Sequence, residues 1–300
     1  MAILAHRLPA NVPGDLFVDR SCIACDTCRR IAPGTFGGGE DDPAFVARQP
    51  ATEADERRAL MAAVACPVAA IGTTAKRPGQ AAAAARAFPD PVDGLPGVFG
   101  CGYAAESSFG AASWLAVRPG GNVLVDSPRF ARPLLARIRE LGGARWMFLT
   151  HRDDVADHAR WAEALGCERV LHERDVTSAT RGVERRLEGL DPVGLAPDLL
   201  AIPVPGHTRG SAALLLAGRV LFTGDHLWGD ADGRLDAGRS VCWYDWDEQT
   251  RSMERLLDHP FTWVLPGHGR PWHVATPEDA RVKLARLVDR MRGPVGRRAP

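Results

Sequence analysis

The sequence predicts an α+β protein in two parts, a small cysteine-bearing N-terminal domain and a larger C-terminal domain of alternating strands and helices. Three observations predict it. Four of the seven cysteines, Cys22, Cys25, Cys28 and Cys66, fall in the first quarter of a 300-residue chain. An alanine- and proline-rich stretch, residues 76–97, separates that quarter from the rest. Beyond it, apolar runs of strand length repeatedly end in short loops that carry histidine or aspartate beside glycine. A chain of this length exceeds one average domain, and the expected division is 1–75, a linker at 76–97, and 98–300.

Composition narrows the function. Hydrophobic residues make up 45% and charged residues 25%, globular values that argue against disorder. Lysine plus arginine equals aspartate plus glutamate at 37 each, so no net field favours nucleic acid or an anionic membrane. The longest apolar stretches, such as Ala81–Ala85 and Ala212–Ala217, fall well short of the roughly 20 residues of a membrane span. Met1–Pro13 shows no apolar core with a small-residue cleavage site. Clustered thiols in such a chain point to metal binding in a reducing compartment, and the expected location is the cytoplasm.

In the first domain, Phe17-Val18-Asp19 reads as a strand and Gly37-Gly38-Gly39 as part of a turn. Thr52 can cap a helix over 53–65, with Asp55 placed for a capping box, and that helix delivers Cys66-Pro67. The alanine run after it fits either a surface connection or a short helix. In the second domain, Ser113–Val117 and Val123–Asp126 predict a hairpin around Pro119-Gly120-Gly121, followed by a helix over 130–141. The continuous apolar run Trp146–Thr150 predicts a strand buried on both faces. A helix over 157–165 stops at Gly166. Strands follow at 169–172, 199–204, 212–217 and 219–223, then a helix over 247–258 and a strand at Phe261–Leu265. Thr276-Pro277-Glu278-Asp279 opens a last helix as cap, N1 proline and acidic first turn.

The cysteine spacing carries the first piece of chemistry. Cys22-x2-Cys25-x2-Cys28 places three thiolates on one tight loop, and Cys66-Pro67 can supply a fourth. A [4Fe–4S] cluster needs four sulfurs around a cube, and two-residue gaps wrap three of them. No second triplet exists, so one cluster is expected. The alternatives are a four-cysteine zinc site, which usually pairs one CxxC with another, or an empty cage. The segment Phe17–Pro33, with Ala32-Pro33 after the third cysteine, and the ending Cys66-Pro67-Val68-Ala69-Ala70-Ile71 resemble single-cluster bacterial ferredoxins over residues 14–75. That resemblance implies a ferredoxin-like fold and an electron-transfer module.

Four segments carry the second piece: Thr150–His158, Pro205–Ser211, Phe222–His226 and Leu265–Gly269. Each follows a predicted strand, so their side chains can converge on one sheet edge. Their order and flanking residues resemble the metallo-β-lactamase superfamily, especially its glyoxalase-II-like branch, over residues 98–290. The resemblance implies an αββα sandwich and one or two divalent metal ions, iron, zinc or manganese. It assigns His151 and His207 to one metal, Asp157, His158 and His268 to a second, and Asp225 as a bridge. It also gives Asp157 the catalytic role of orienting the nucleophile.

The chain departs from that pattern in the first motif, which reads His-x-Asp-Asp-x-x-Asp-His; the second histidine is missing and Asp153 stands in its place. Three readings stay open. Asp153 is a ligand and two metals bind; or His151, His207 and Asp225 form a two-histidine, one-carboxylate triad for a single Fe(II); or the site is empty. His226, Tyr244 and His273 are candidates for supporting or lining the pocket.

The resemblance implies metal-assisted hydrolysis of an ester- or thioester-type small molecule, in a chain that also carries an electron carrier. Hydrolysis consumes no electrons. That favours as an alternative an oxidoreductase with a mono- or di-iron site, similar to flavodiiron proteins or persulfide dioxygenases and served by a redox partner protein. A non-catalytic redox sensor is the third alternative.

Overall fold

A computed structural model describes residues 2–39 and 42–293 of the chain. The protein is α+β and forms two compact units, residues 1–147 with 153–167, and residues 148–152 with 168–300. Residues 76–147 fall in the same unit as the cysteine-bearing segment. The last expected residues, 294–300, lie outside the described ones.

The first unit begins with β1 (Leu16–Val18), α1 (Thr27–Ile31), the two-residue strands β2 (Phe36–Gly37) and β3 (Phe45–Val46), α2 (Glu53–Ala65) and β4 (Ile71–Thr73). β1 pairs antiparallel with β4, which brings the two ends of the cysteine segment together. The predicted capping box is present: Asp55 N–H donates to Thr52 Oγ1 at 3.1 Å, and Thr52 N–H donates to the Asp55 carboxylate at 3.3 Å. The apolar side of α2, Ala59 and Ala62, packs with Leu16, Val18, Phe36, Val46 and Ile71. At its C-terminal end stands Cys66.

Residues 76–97 are not a bare linker. The alanine run forms α3 (Pro78–Arg86), started by a proline in the first turn, where a missing N–H costs nothing. Then β5 (Asp90–Pro91), β6 (Val98–Gly100), β7 (Trp114–Ala116) and β8 (Val123–Val125) form an antiparallel ladder in that order. The pairing of β7 with β8 is the predicted hairpin. α4 (Arg132–Glu140) follows, then β9 (Trp146–Phe148), through which the chain passes to the second unit, and α5 (His158–Leu165).

Hydrogen bonds tie this later part of the first unit to the end of α2. Ala104 N–H donates to the Ala65 carbonyl at 3.1 Å. The Arg129 guanidinium donates to the Val64 carbonyl at 3.1 Å and lies over the Tyr103 ring. Arg129 N–H in turn donates to the Tyr103 carbonyl at 2.8 Å.

The second unit contains β10 (Glu168–His172), parallel to β11 (Arg185–Leu187), and a six-stranded sheet. That sheet runs in the order β12 (Val193–Ala196), β13 (Leu199–Pro203), β14 (Ala212–Leu216), β15 (Val220–Gly224), β18 (Trp263–Pro266), β19 (Trp272–His273). A short hairpin, β16 (Trp228–Gly229) with β17 (Leu235–Asp236), leaves the sheet after β15. Two helices, α6 (Trp246–Arg255) and α7 (Pro277–Arg292), bury Met253, Leu256, Leu284, Leu287 and Val288 against Leu215, Leu221 and Val264 of the sheet. Thr276 caps α7 as predicted, accepting from Asp279 N–H at 3.1 Å. No helix among the described residues is long and apolar enough to cross a membrane.

Strand direction decides where the ligand loops emerge. β13 is antiparallel to β14, β14 is antiparallel to β15, and β15 is parallel to β18. Hence β13, β15 and β18 all run the same way, and their C-terminal ends share one sheet edge. From those ends come His207, Asp225 and His268.

The links to α2 generate an expectation for the first unit. Arg129→Ala removes a charged hydrogen bond and a ring contact, and should cost about 2 kcal/mol. Denaturant unfolding of the full chain measures it; a midpoint equal to that of the unchanged protein would rule out this arginine as a structural tie.

Candidate metal centre and cysteine cage

In the second unit three imidazoles surround one carboxylate: His207, Asp225 and His268 leave the sheet edge, and His151 lies on the loop after β9. His151 Nε2 and His207 Nε2 stand 3.8 and 3.9 Å from Asp225 Oδ2. The two rings face each other at 4.8 Å, nearly perpendicular. His268 Nδ1 lies 2.8 Å from both Asp225 oxygens, and His268 N–H donates to Oδ1 at 3.2 Å. His151 and His207 are buried, Asp225 is largely withdrawn from water, and His268, 27% exposed, lies on the open side.

Electrostatics suit a cation. Burial pushes His151 down to about 3, against the pull of Asp225 and with further repulsion from His207 and His268; the ring is therefore neutral with a lone pair available. Burial also works against charge on Asp225. The charge and hydrogen bond of His268, helped by His151 and His207, nevertheless hold that carboxyl below the usual carboxylate range. Two imidazoles and a carboxylate are a donor set that fits a divalent metal.

Backbone features hold the donors in place. Gly224, at φ +51°, precedes Asp225; a Cβ there would fall 2.2 Å from Thr150 Oγ1 and 3.1 Å from His151 Nδ1. Thr150 Oγ1 lies 3.0 Å from His151 Nδ1 and fixes the ring. Gly206, at φ +150°, precedes His207, and a Cβ there would fall 2.3 Å from Gln249 Cα of α6. Close packing demands glycine at both positions, against Thr150 and His151 at Gly224 and against α6 at Gly206.

Asp175 is a residue the sequence reading passed over. It is 1% exposed; its Oδ1 accepts Gly210 N–H at 2.8 Å, and its Oδ2 accepts Arg152 N–H at 3.0 Å and the Thr208 hydroxyl. Arg152 follows His151 and Thr208 follows His207, so one carboxylate clamps both ligand-bearing loops. Its place shortly after β10, at the end of the predicted strand 169–172, was the available signal.

His226 is 1% exposed, and neither ring nitrogen has a hydrogen-bond partner among the described residues. Burial, then His207 and Arg255, push it down to about 3, so it is a neutral wall beside Asp225. The Tyr244 and Trp243 N–H groups donate to the His207 carbonyl at 3.1 and 2.9 Å. Both side chains are exposed, and the Arg209 guanidinium lies over the Tyr244 ring. His273 is exposed and stacked on Trp263 at 4.5 Å; that places it in surface packing and not among the donors.

The remaining candidates of the first histidine motif belong to the first unit. Asp153 is exposed, whereas its neighbour Asp154, which the sequence reading did not choose, is 2% exposed. Asp157 precedes α5, and its Oδ2 accepts Phe130 N–H at 2.7 Å. His158 is buried at the start of α5, which Trp161 anchors by donating to the Pro128 carbonyl at 2.8 Å.

The four cysteines of the first unit are brought together as expected. Cys22, Cys25, Cys28 and Cys66 line one cavity, with Val18, Ile23, Val68 and Ile71 among its apolar walls. Burial, then repulsion from Cys22, Cys25 and Cys66, pushes the Cys28 thiol far up. Burial raises Cys66 as well, against backbone N–H groups, one of which, on Ala70, donates to its sulfur at 3.3 Å. Four thiols crowded into an apolar cavity disfavour bare thiolates and fit a cationic iron core.

Comparison with known proteins agrees with this cage. Residues 18–73 match the family model described as the 4Fe-4S single cluster domain of Ferredoxin I. No curated protein sequence matches the chain. Among solved structures, the chain is similar to DIM-1 metallo-β-lactamase, with 16% identity, 64% of this chain and 94% of that one covered, and a TM-score of 0.49. It is similar to ETHE1 from Myxococcus xanthus, with 20% identity, 63% and 89% coverage, and a TM-score of 0.43. It is also similar to TTHA1623 in a di-iron-bound form, with 24% identity, 56% and 90% coverage, and a TM-score of 0.42.

The clamp at Asp175 has a measurable consequence. Asp175→Ala should weaken metal binding about 10- to 100-fold, as loss of outer hydrogen-bond partners commonly does, without removing any donor. Competition for Zn²⁺ or Mn²⁺ against a chelator reads this directly, and unchanged affinity would show that the two loops hold themselves.

Proposed function

We propose that this chain is a metal-dependent hydrolase of an ester- or thioester-type small molecule, built on a mononuclear centre of His151, His207 and Asp225. The observation that carries the reading is the placement of both imidazole Nε2 atoms about one oxygen of a carboxylate held ionised. Two histidines and one carboxylate are three protein donors, which leaves room for water on a cation that needs four or more ligands. A bound divalent metal supplies an acidified water and polarises the carbonyl it faces.

The chain's own residues do the rest. His268 Nδ1–H donates to Asp225, keeping the carboxylate oriented and ionised. His226 closes the buried side of the site without adding charge. Trp243 and Tyr244, exposed and pinned to the His207 carbonyl, offer an apolar rim on which the acyl group can rest. Arg209, over the Tyr244 ring, adds a cation at that rim.

A second reading, a single-iron oxidoreductase, has a specific observation in its favour. The cysteine cage is not an appendage but is hydrogen-bonded into the first unit through Ala65–Ala104 and Val64–Arg129, as expected of a redox centre the enzyme needs. The same donor triad suits Fe(II).

Metal content and turnover separate the two. Protein purified without oxygen should contain one active-site divalent metal per chain beyond the cluster iron, and His207→Ala or Asp225→Ala should each lose it. Cleavage of a model thioester should then fall by at least about 100-fold (~2.7 kcal/mol) in both variants, and should be indifferent to reduction of the cluster. Iron at the centre together with turnover that requires a reductant would replace hydrolysis by the oxidoreductase reading.

A further inference from the structure

The residue packed against Cys25 does not come from the cysteine-bearing segment. It is Gly110, on the turn Ala105–Ala111. A Cβ at Gly110 would fall 2.6 Å from Cys25 Cβ and 2.7 Å from its Sγ, and the backbone there has φ +82°. The turn is braced from within: Gly110 N–H donates to the Ala105 carbonyl at 2.9 Å and Ala111 N–H to the Ser108 carbonyl at 2.8 Å. It is also held from the cage side. Thr27 Oγ1 donates to the Gly110 carbonyl at 3.0 Å. Arg30 Nη2 donates to that same carbonyl and to Thr27 Oγ1, both at 3.2 Å. Thr27, 5% exposed, has its hydroxyl 3.4 Å from Cys25 Sγ.

These distances define a proton choice. As a thiol, Cys25 donates to Thr27 Oγ1. As an iron-bound thiolate it has no proton and can only accept. Thr27 carries a single hydroxyl hydrogen and then faces two acceptors, Cys25 Sγ and the Gly110 carbonyl. Because Arg30 also serves that carbonyl, Thr27 can turn its hydrogen to the sulfur without leaving a buried carbonyl unpaired. A donor on a ligand sulfur stabilises the more negative, reduced state of a cluster, which raises its reduction potential. The Gly110 backbone, meanwhile, covers part of Cys25, which stays half-buried.

We propose that the Ala105–Ala111 turn is a wall of the cluster site, and that through Thr27 and Arg30 it raises the cluster's reduction potential and slows its oxidative loss. The proposal rests on the cage holding a [4Fe–4S] cluster, and iron and sulfide content tests that separately. Thr27 acts through the Cys25 sulfur and is a positioning residue.

The experiment uses full-length protein purified without oxygen, with iron and sulfide determined first. Dye-mediated titration gives the midpoint potential, and decay of the visible charge-transfer band in air gives the lifetime. Thr27→Val should lower the equilibrium constant for reduction by up to about tenfold, ~59 mV for one electron, while Thr27→Ser keeps the native potential. Gly110→Ala should bleach several-fold faster in air. If Thr27→Val takes up no cluster, Thr27→Ala, which adds no bulk, carries the same comparison. A loaded Thr27 variant with the native potential, or a loaded Gly110→Ala with the native lifetime, overturns the corresponding half of the proposal. Absence of iron and sulfide from the unchanged protein would instead overturn the cluster itself.

Discussion

Asp225 sits among three imidazoles, largely out of water, and a charge in that position persists only when its surroundings offset the lost hydration. Here the offset comes first from His268, helped by His151 and His207; strand direction brings His268 and His207 to it, and His151 comes from the loop after β9. Three strands of one sheet run the same way and release their loops at one edge. Without the parallel pairing of β15 with β18, Asp225 and His268 would emerge at opposite ends of the sheet. The glycines before Asp225 and His207 then let the loops approach closely enough for the side chains to meet. Fold and site are thus joined through one electrostatic requirement.

Much of this was legible in the sequence because it follows local rules. The capping box at Thr52, the proline-led α7 and the β7–β8 hairpin need only neighbours within a few residues, and each formed where the pattern placed it. Cys22, Cys25, Cys28 and Cys66 were readable because cluster chemistry imposes its own spacing. The convergence of His151, His207, Asp225 and His268 was readable because each follows a predicted strand and the order of the four segments resembles a known pattern.

What the sequence hid depends on distant partners. Asp175 looks like any acidic residue near the end of a strand, and only the folded chain shows it bonded to Arg152, Thr208 and Gly210. Asp154 is buried and Asp153 exposed, a difference that two adjacent aspartates do not announce in the sequence. A change of composition near residue 98 marks where the chain changes character, not where its hydrogen bonds go. Ala104 and Arg129 reach back to the end of α2 across that change.

One arrangement constrains how such a protein can change. α6 presses on Gly206 through Gln249, Ser252 Oγ donates to the Pro205 carbonyl, and the exposed Trp243 and Tyr244 hang from the carbonyl of His207. The surface that would greet a substrate and the loop that would grip a cation are therefore one rigid body. Selectivity and metal affinity are consequently hard to evolve apart: a lineage that reshapes positions 243–244 for a new substrate inherits a shifted His207, and must recover its grip elsewhere on the same sheet edge.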